Sequence, residues 1–303
     1  MGPPVVLLAG GTGGAKLARG MLDEVGEDLV VVANTGDDVE IYGAYVSPDP
    51  DLVTFWLADR IDARGWGLAG DTFHVMEGLR ELGEDVWMQL GDRDLALCLL
   101  RARRMADGAR LTEAVDAARR ALGVPARVLP MCDEPVRTWV RARGGWFAFQ
   151  PFMIRERAAG PVEDVALHGI GAARATPEVL EAVAAARAIV IGPSNPVISI
   201  GPILAVPGVR DAVRAARAPV VAVSPLVRGQ VLKGPTDQFL AWAGHPMSSD
   251  GIAAHYEGLL DGLVADERAN GLPTLETDVE MGDPAARRRV ARETLDFAAA
   301  LER

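Results

Sequence analysis

The chain has 303 residues, 49% of them apolar, and carries a formal net charge of −11 with an isoelectric point near 4.9. That length and apolar content can fill the core of one large α/β domain, and the acidic balance argues against a nucleic-acid partner. Cys98 and Cys132 form neither a disulfide framework nor a metal-ligand spacing, and no apolar run reaches membrane-spanning length, so a cytoplasmic protein with no membrane partner is expected.

From the N-terminus, Val5–Ala9 reads as a buried strand that runs into Gly10-Gly11-Thr12-Gly13-Gly14 and then a helix start. Glycines there allow a tight turn and present backbone N–H groups, and the following helix adds its positive dipole end, a combination suited to phosphate. Lys16 adds a mobile charge, and only Lys233 accompanies it among 31 basic residues. The loop is not a Walker A motif, because Ala15 precedes the lysine and Leu17 follows it, nor is it a clean G-x-G-x-x-G fingerprint.

A second strand, Leu29–Ala33, leads to Asn34-Thr35-Gly36-Asp37-Asp38, and Ser47-Pro48-Asp49-Pro50-Asp51 precedes helical spacing over Leu52–Asp62. These acidic turns suit either a magnesium ion, which takes one or two carboxylates plus waters and substrate oxygens, or local Asx turns and a helix cap, a role that Asp51 fits. Trp66, within Gly65-Trp66-Gly67, is either packing or a ring offered to a flat ligand. Helical spacing follows over Thr72–Leu82, then a strand over Val86–Leu90 and a third acidic loop, Gln89-Leu90-Gly91-Asp92-Arg93-Asp94. Arg93 there faces an anion or pairs with Asp92 or Asp94, and Asp94 suits the cap of the next helix, Asp94–Met105.

Beyond helix Thr112–Leu122 and strand Arg127–Met131 the rhythm changes over residues 134–170. Thr138-Trp139-Val140 and Trp146-Phe147-Ala148-Phe149 flank Gly144-Gly145 as a hairpin, which predicts a small β-rich insertion within a single domain spanning 1–303. Helices Pro177–Ala186, Asp211–Ala216 and Thr236–Ala243 then alternate with strands Ala188–Gly192 and Val220–Val223. Pro193-Ser194-Asn195-Pro196 forms a rigid turn after a strand, offering Ser194 and Asn195 to a nucleobase edge or forming a plain polar turn. Arg287-Arg288-Arg289 reads as the solvated face of a terminal helix. His74, His168, His245 and His255 have no ligand-like spacing, so no zinc site is expected. The expected fold is α/β: a Rossmann-like, mostly parallel sheet with helices on both faces and the β-rich insertion.

In order, Gly10–Lys16, Asn34–Asp38, Ser47-Pro48-Asp49, Leu90–Asp94, Gly192–Pro196 and Ser199-Ile200-Gly201-Pro202-Ile203 resemble the 2-phospho-L-lactate transferase family of coenzyme F420 biosynthesis. Leu129-Pro130-Met131, Phe149-Gln150 and Ala222-Val223-Ser224-Pro225 fit as well, so the resemblance spans nearly the whole chain. It implies a magnesium-dependent homodimer that moves a phosphorylated three-carbon acid (lactyl, enolpyruvyl or glyceryl) from a guanylylated donor to the deazaflavin Fo, 7,8-didemethyl-8-hydroxy-5-deazariboflavin, releasing GMP. On this reading Gly11, Thr12, Gly13, Gly14 and Lys16 hold the diphosphate, with Asn34 and Arg93 beside it. Asp49, with Asp37 or Asp38, ligates the metal. Ser194, Asn195 and Pro196 take the guanosine, and Asp51 and Gln89 contact Fo, Asp51 orienting the polyol or acting as base. Gln89 stands where family members often carry lysine.

Two rivals differ in class. A related regulatory branch binds nucleotide sugars without known turnover, but its Asp-Asp loop is rich in glycine and serine, unlike Gly36-Asp37-Asp38-Val39-Glu40. A dinucleotide-dependent oxidoreductase would end its second strand in a ribose-binding acid, where this chain has Thr35-Gly36.

Overall fold

A computed structural model describes residues 2–301. In chain order its elements are β1 (Val5–Ala9), α1 (Gly11–Val25), β2 (Leu29–Ala33), β3 (Val39–Ile41), β4 (Ala44–Val46), α2 (Pro48–Leu57), α3 (His74–Glu81), α4 (Asp92–Ala106), α5 (Leu111–Ala121) and β5 (Arg127–Pro130). There follow β6 (Arg137–Ala142), β7 (Gly145–Ala148), α6 (Phe149–Ile154), β8 (Val162–His168), α7 (Pro177–Ala185), β9 (Ala188–Ile191), α8 (Gly201–Ala205), α9 (Val209–Ala215) and β10 (Val220–Val223). The chain ends with β11 (Leu226–Val227), β12 (Gln230–Val231), α10 (Thr236–Trp242), α11 (Ser249–His255), β13 (Gly262–Ala265), β14 (Thr274–Glu276) and α12 (Pro284–Ala300).

Seven strands form one sheet in the order β14-β13-β10-β9-β1-β2-β5, and every pairing is parallel. Residues of alternate parity point to opposite faces, so the sheet divides the core in two. Val6, Leu8, Val30, Val32, Ile189 and Ile191 pack beneath α7, α8 and α9. Val5, Leu7, Val31 and Val190 pack beneath α1, α2, α5 and α12. Burial on both faces explains why these strands are continuous Val/Ile/Leu runs. From β1 the chain builds outward through β2 and β5, then returns to β9 and builds the other way. The crevice at this reversal, between the C-terminal ends of β1 and β9, is where open α/β sheets bind ligands.

Three expectations need correction. Val86–Leu90 is not a strand: it is an irregular extended segment, and its alternating apolar residues cover a satellite core with Ala44, Val46, Met76 and Leu95. The glycine-rich turn contracts to Gly10, and Gly11, Thr12, Gly13 and Gly14 already lie in the first turn of α1. The arginine triplet of α12 is not merely solvated. Arg287 lies over the Trp56 ring at 5.0 Å, Arg288 pairs with Asp23 and Glu24, and Arg289 pairs with Glu293. The hairpin of residues 134–170 is β6–β7, with β8 added on the other side of β6 as a three-stranded antiparallel sheet. Among the described residues, no single helix is long and apolar enough to cross a membrane.

Candidate active site

At the β1/β9 crevice the two backbones approach so closely that side chains are excluded. A Cβ on Gly13 would lie 2.1 Å from the Pro193 carbonyl oxygen, and one on Gly14 would lie 2.7 Å from Ser194 Oγ. These glycines serve close approach rather than positive φ. The Gly10 N–H donates to Ser194 Oγ at 3.2 Å, tying the two loops together.

Asp49, brought in by the first turn of α2, docks onto the start of α1. Its Oδ1 accepts the Gly11 N–H at 2.6 Å, and its Oδ2 accepts Asn34 Nδ2 at 3.0 Å. The Asn34 Oδ1 in turn accepts the Gly36 N–H at 2.8 Å, which fixes the loop carrying Asp37. The β-rich insertion braces this loop from outside: the Thr138 N–H on β6 donates to the Gly36 carbonyl at 2.7 Å, and Gln150 Nε2 on α6 donates to the Asp37 carbonyl at 3.1 Å. Its position in the fold thus supports the site loop.

These bonds frame a cleft of about 460 Å³ whose wall includes Gly11, Lys16, Asp37, Asp49, Ser194 and Lys233. Two opposite electrostatic surfaces meet in it. Burial pushes Asp49 up to about 6 against the opposing pull of the Gly11 N–H and Asn34 amide. Burial and the Asp49 charge push Asp37 well above the ordinary carboxylate range. On the other side Lys16 is lowered by burial and by the nearby positive charges of Arg287 and Lys233, with Glu280 opposing. The only two lysines in the chain therefore both line this cleft.

Four of the seven buried side-chain polar atoms left without a partner among the described residues sit around this acidic loop: Thr35 Oγ1, Asp37 Oδ1, Asp38 Oδ2 and Thr138 Oγ1. Buried polar groups are ordinarily satisfied; of these residues only Asp37 lines the cleft, and its orphan oxygen is the one that a ligand or ion there would satisfy. An unpartnered carboxylate oxygen beside a second buried carboxylate is a donor set of the hard-oxygen type that divalent cations take. Anionic phosphates at the N-terminus of α1 would otherwise face Asp49, so phosphate and cation are complementary needs here.

Of the residues expected at the site, Gly11, Thr12, Gly13, Lys16, Asp37, Asp49, Ser194 and Asn195 line the cleft. Gly14, Asn34 and Pro196 are buried behind it. Asn195 spends its side chain locally, its Oδ1 accepting the Val197 and Ile198 N–H groups and its Nδ2 donating to Thr236 Oγ1 at 3.3 Å. It therefore shapes the wide helical turn Pro196–Ile200 rather than presenting a free edge.

Asp38 alternates away from its neighbour Asp37, and its Oδ1 accepts the Ser47 hydroxyl at 2.8 Å. Asp51 lies outside the cleft wall, with both carboxylate oxygens engaged by Arg101. Its place outside the cleft wall, with its charge paired to Arg101, separates it from the base role expected of it. Gln89 and Arg93 are exposed and lie outside the cleft. Among the described residues Arg93 makes neither expected ion pair; its backbone N–H donates to Asp71 at 2.9 Å, and Asp71, not Asp94, caps α4.

Lys233, Val279 and Met281 line the cleft from segments to which the sequence motifs gave no role. The scarcity of lysine was the usable signal for Lys233. Val279 and Met281 left none, since their stretch carries no motif.

The fold and cleft together define an α/β protein with a cleft at the switch point of its parallel sheet, lined by a helix N-terminus, two lysines and two buried carboxylates. Residues 5–294 match the family model described as 2-phospho-L-lactate transferase CofD. The chain is 39% identical to the 2-phospho-L-lactate transferase of Methanosarcina mazei over 266 residues, covering 87% of each chain. It is 40% identical to the phosphoenolpyruvate transferase of Kitasatospora aureofaciens over 310 residues, covering 95% of this chain and 97% of that one. A crystal structure of a Bacillus halodurans protein of the UPF0052 family shares the fold, with a TM-score of 0.61 at 17% identity over 97% of this chain and 99% of that one. The chain belongs to the 2-phospho-L-lactate transferase CofD family and is a transferase acting on small molecules.

Proposed function

We propose that the enzyme transfers a phosphorylated three-carbon acid from its guanylylated diphosphate to Fo in coenzyme F420 biosynthesis. The observation that carries this is the pairing, in one cleft, of a helix N-terminus and two lysines with two buried carboxylates. A diphosphate needs the first set, and a bridging divalent cation needs the second.

In this reading the first turn of α1, with Lys16 and Lys233, holds the diphosphate. The guanosine lies along the Pro193–Pro196 loop, which Gly10 and Thr236 hold rigid. Asp37 and Asp49 would hold magnesium, which when bound would neutralise the diphosphate and lower the pKa of a nearby hydroxyl. Fo enters from the side of α2 and α4, past Gln89. Its ribityl oxygen bonds to the phosphorus that carries the acid, the bond from that phosphorus to the GMP oxygen breaks, and the hydroxyl proton is released. The protein contributes position and charge, which dominate phosphoryl-type transfers. A compartment in the cytoplasm and a homodimer complete the proposal.

Calorimetric titration with GDP and Fo tests it. The proposal predicts that both bind and that saturation with one does not displace the other. Binding of a nucleotide sugar or NADH with no affinity for Fo would favour one of the rival classes instead.

A further inference from the structure

We infer that Arg101 is a positioning residue, a clamp that fixes the segment 45–51 so that Asp49 meets α1, and that it sets the rate of transfer rather than substrate affinity. The inference rests on the transferase reading for its kinetic form, and on geometry alone for the clamp.

Arg101 stands on the buried face of α4 and is only 2% exposed. An arginine there cannot shed its charge, so it needs acceptors; its two Nη atoms find them, while Nε is left without one. Its Nη1 donates to the Tyr45 carbonyl at 3.0 Å and to Asp51 Oδ2 at 3.0 Å, while Nη2 donates to Asp51 Oδ1. One rigid guanidinium thus grips both ends of the segment that turns from β4 into α2.

Between those ends lie the contacts that make the site. Ser47 Oγ donates to Asp38 at 2.8 Å, Asp49 accepts from Gly11 and Asn34, and the Asp51 N–H donates to the Ser47 carbonyl at 3.1 Å. The segment has Pro48 and Pro50 to restrict its backbone, and its other cation, Arg137, reaches only the Tyr45 side chain, donating to the hydroxyl at 3.3 Å and lying 5.5 Å from the ring. Asp51, Asp94 and Cys98 place ligand atoms within 4.8 Å of one another, as a metal site would. The guanidinium already neutralises Asp51, and Asp94 is pushed up to about 7 by burial and by the Asp51 charge. A charge-paired clamp accounts for this cluster without a second ion.

A lysine keeps the charge but offers a point donor instead of a fork, so it cannot grip the carbonyl and both carboxylate oxygens together. The test compares Arg101→Lys and Arg101→Met in the full chain. Kinetics are read at a temperature where near-ultraviolet circular dichroism shows each variant folded, and Arg101→Lys carries the test if Arg101→Met does not fold. The clamp predicts a kcat about tenfold lower for Arg101→Lys and about 100-fold lower for Arg101→Met, with KM for donor and Fo each within about threefold of wild type. It also predicts that hydrogen exchange at the Asp51 amide quickens about tenfold in Arg101→Lys while Val31 in the central sheet is unchanged.

Wild-type kcat in Arg101→Met, or a loss confined to KM, would overturn the rate assignment. Unchanged exchange over 47–51 would overturn the clamp. If wild-type protein shows no transfer at all, the transferase reading fails, and the exchange result still decides the clamp.

Discussion

Replacing Asp49 by asparagine separates stability from activity. The amide keeps the shape and leaves Oδ1 to accept the Gly11 N–H, now held at 2.6 Å by the carboxylate. At the other atom it opposes Asn34 Nδ2 with a second NH₂ group, where the native Oδ2 accepts at 3.0 Å. Two buried donors facing each other cost about 1–3 kcal/mol. Against that, a carboxyl raised to about 6 costs about 3 kcal/mol to ionise at neutral pH, at about 1.4 kcal/mol per tenfold change in protonation. The variant never pays it, so at pH 7.5 and without divalent cation the two terms nearly cancel and the melting temperature stays close to wild type. At pH 5 Asp49 is protonated in the folded protein but still largely ionised in the unfolded chain, so the offset falls to about half and the variant loses stability relative to wild type. Turnover is another matter: loss of the charge that would face a cation and diphosphate lowers kcat by roughly 10²-fold or more. Thermal melts at the two pH values, alongside GMP release with Fo and donor, check both halves. Near-wild-type turnover would remove Asp49 from the mechanism, and an equal stability gap at both pH values would refute the burial argument.

Further outcomes follow from the same geometry. Lys16→Ala and Lys233→Ala weaken donor and GDP binding about tenfold or more while leaving Fo affinity unchanged, because only the donor carries phosphates; parallel losses for both ligands in calorimetry would contradict the assignment. Gly13→Ala forces a methyl to within 2.1 Å of the Pro193 carbonyl, so it destabilises the protein by about 1–3 kcal/mol or opens the crevice; a variant that melts and binds GDP like wild type would show the loop contact to be slack. Asp37 and Asp49 are raised in the folded state, so the native protein binds more protons than the unfolded chain from about pH 4 upward and, without divalent cation, their contribution to stability falls as pH rises, for Asp49 until about pH 6. Magnesium competes with those protons, so its stabilisation in melts against EDTA grows from pH 5 to pH 7.5, and a shift independent of pH would place the ion elsewhere.

Much of the parallel sheet was legible because its strands are buried on both faces and so read as unbroken apolar runs. β13 and β14 escaped notice: β14 has only three residues, and β13, though as long as β10, opens on a glycine and has a single β-branched residue. Val86–Leu90 misled for the opposite reason, since covering a satellite core leaves the same apolar mark as joining a sheet. The loops that surround the site were legible as glycine, acidic and proline turns after strands. What their side chains do was not, because the deciding partners are distant in sequence: Gly10 with Ser194, Gly11 with Asp49, Asn195 with Thr236. The same distance hid the pairing of Asp51 with Arg101. An arginine at a helix position spaced with Leu95, Cys98 and Ala102 was the available sign, and it reads as a buried charge only once α4 is seen to pack against β4.

The most direct test of the account mixes the purified protein with Fo, magnesium and, in turn, the lactyl, enolpyruvyl and glyceryl guanylylated donors, following GMP release and the mass of the product. The account predicts stoichiometric GMP and a product heavier than Fo by one phosphorylated acid, from at least one donor, abolished by EDTA. Nucleotide binding without product from any donor would contradict it.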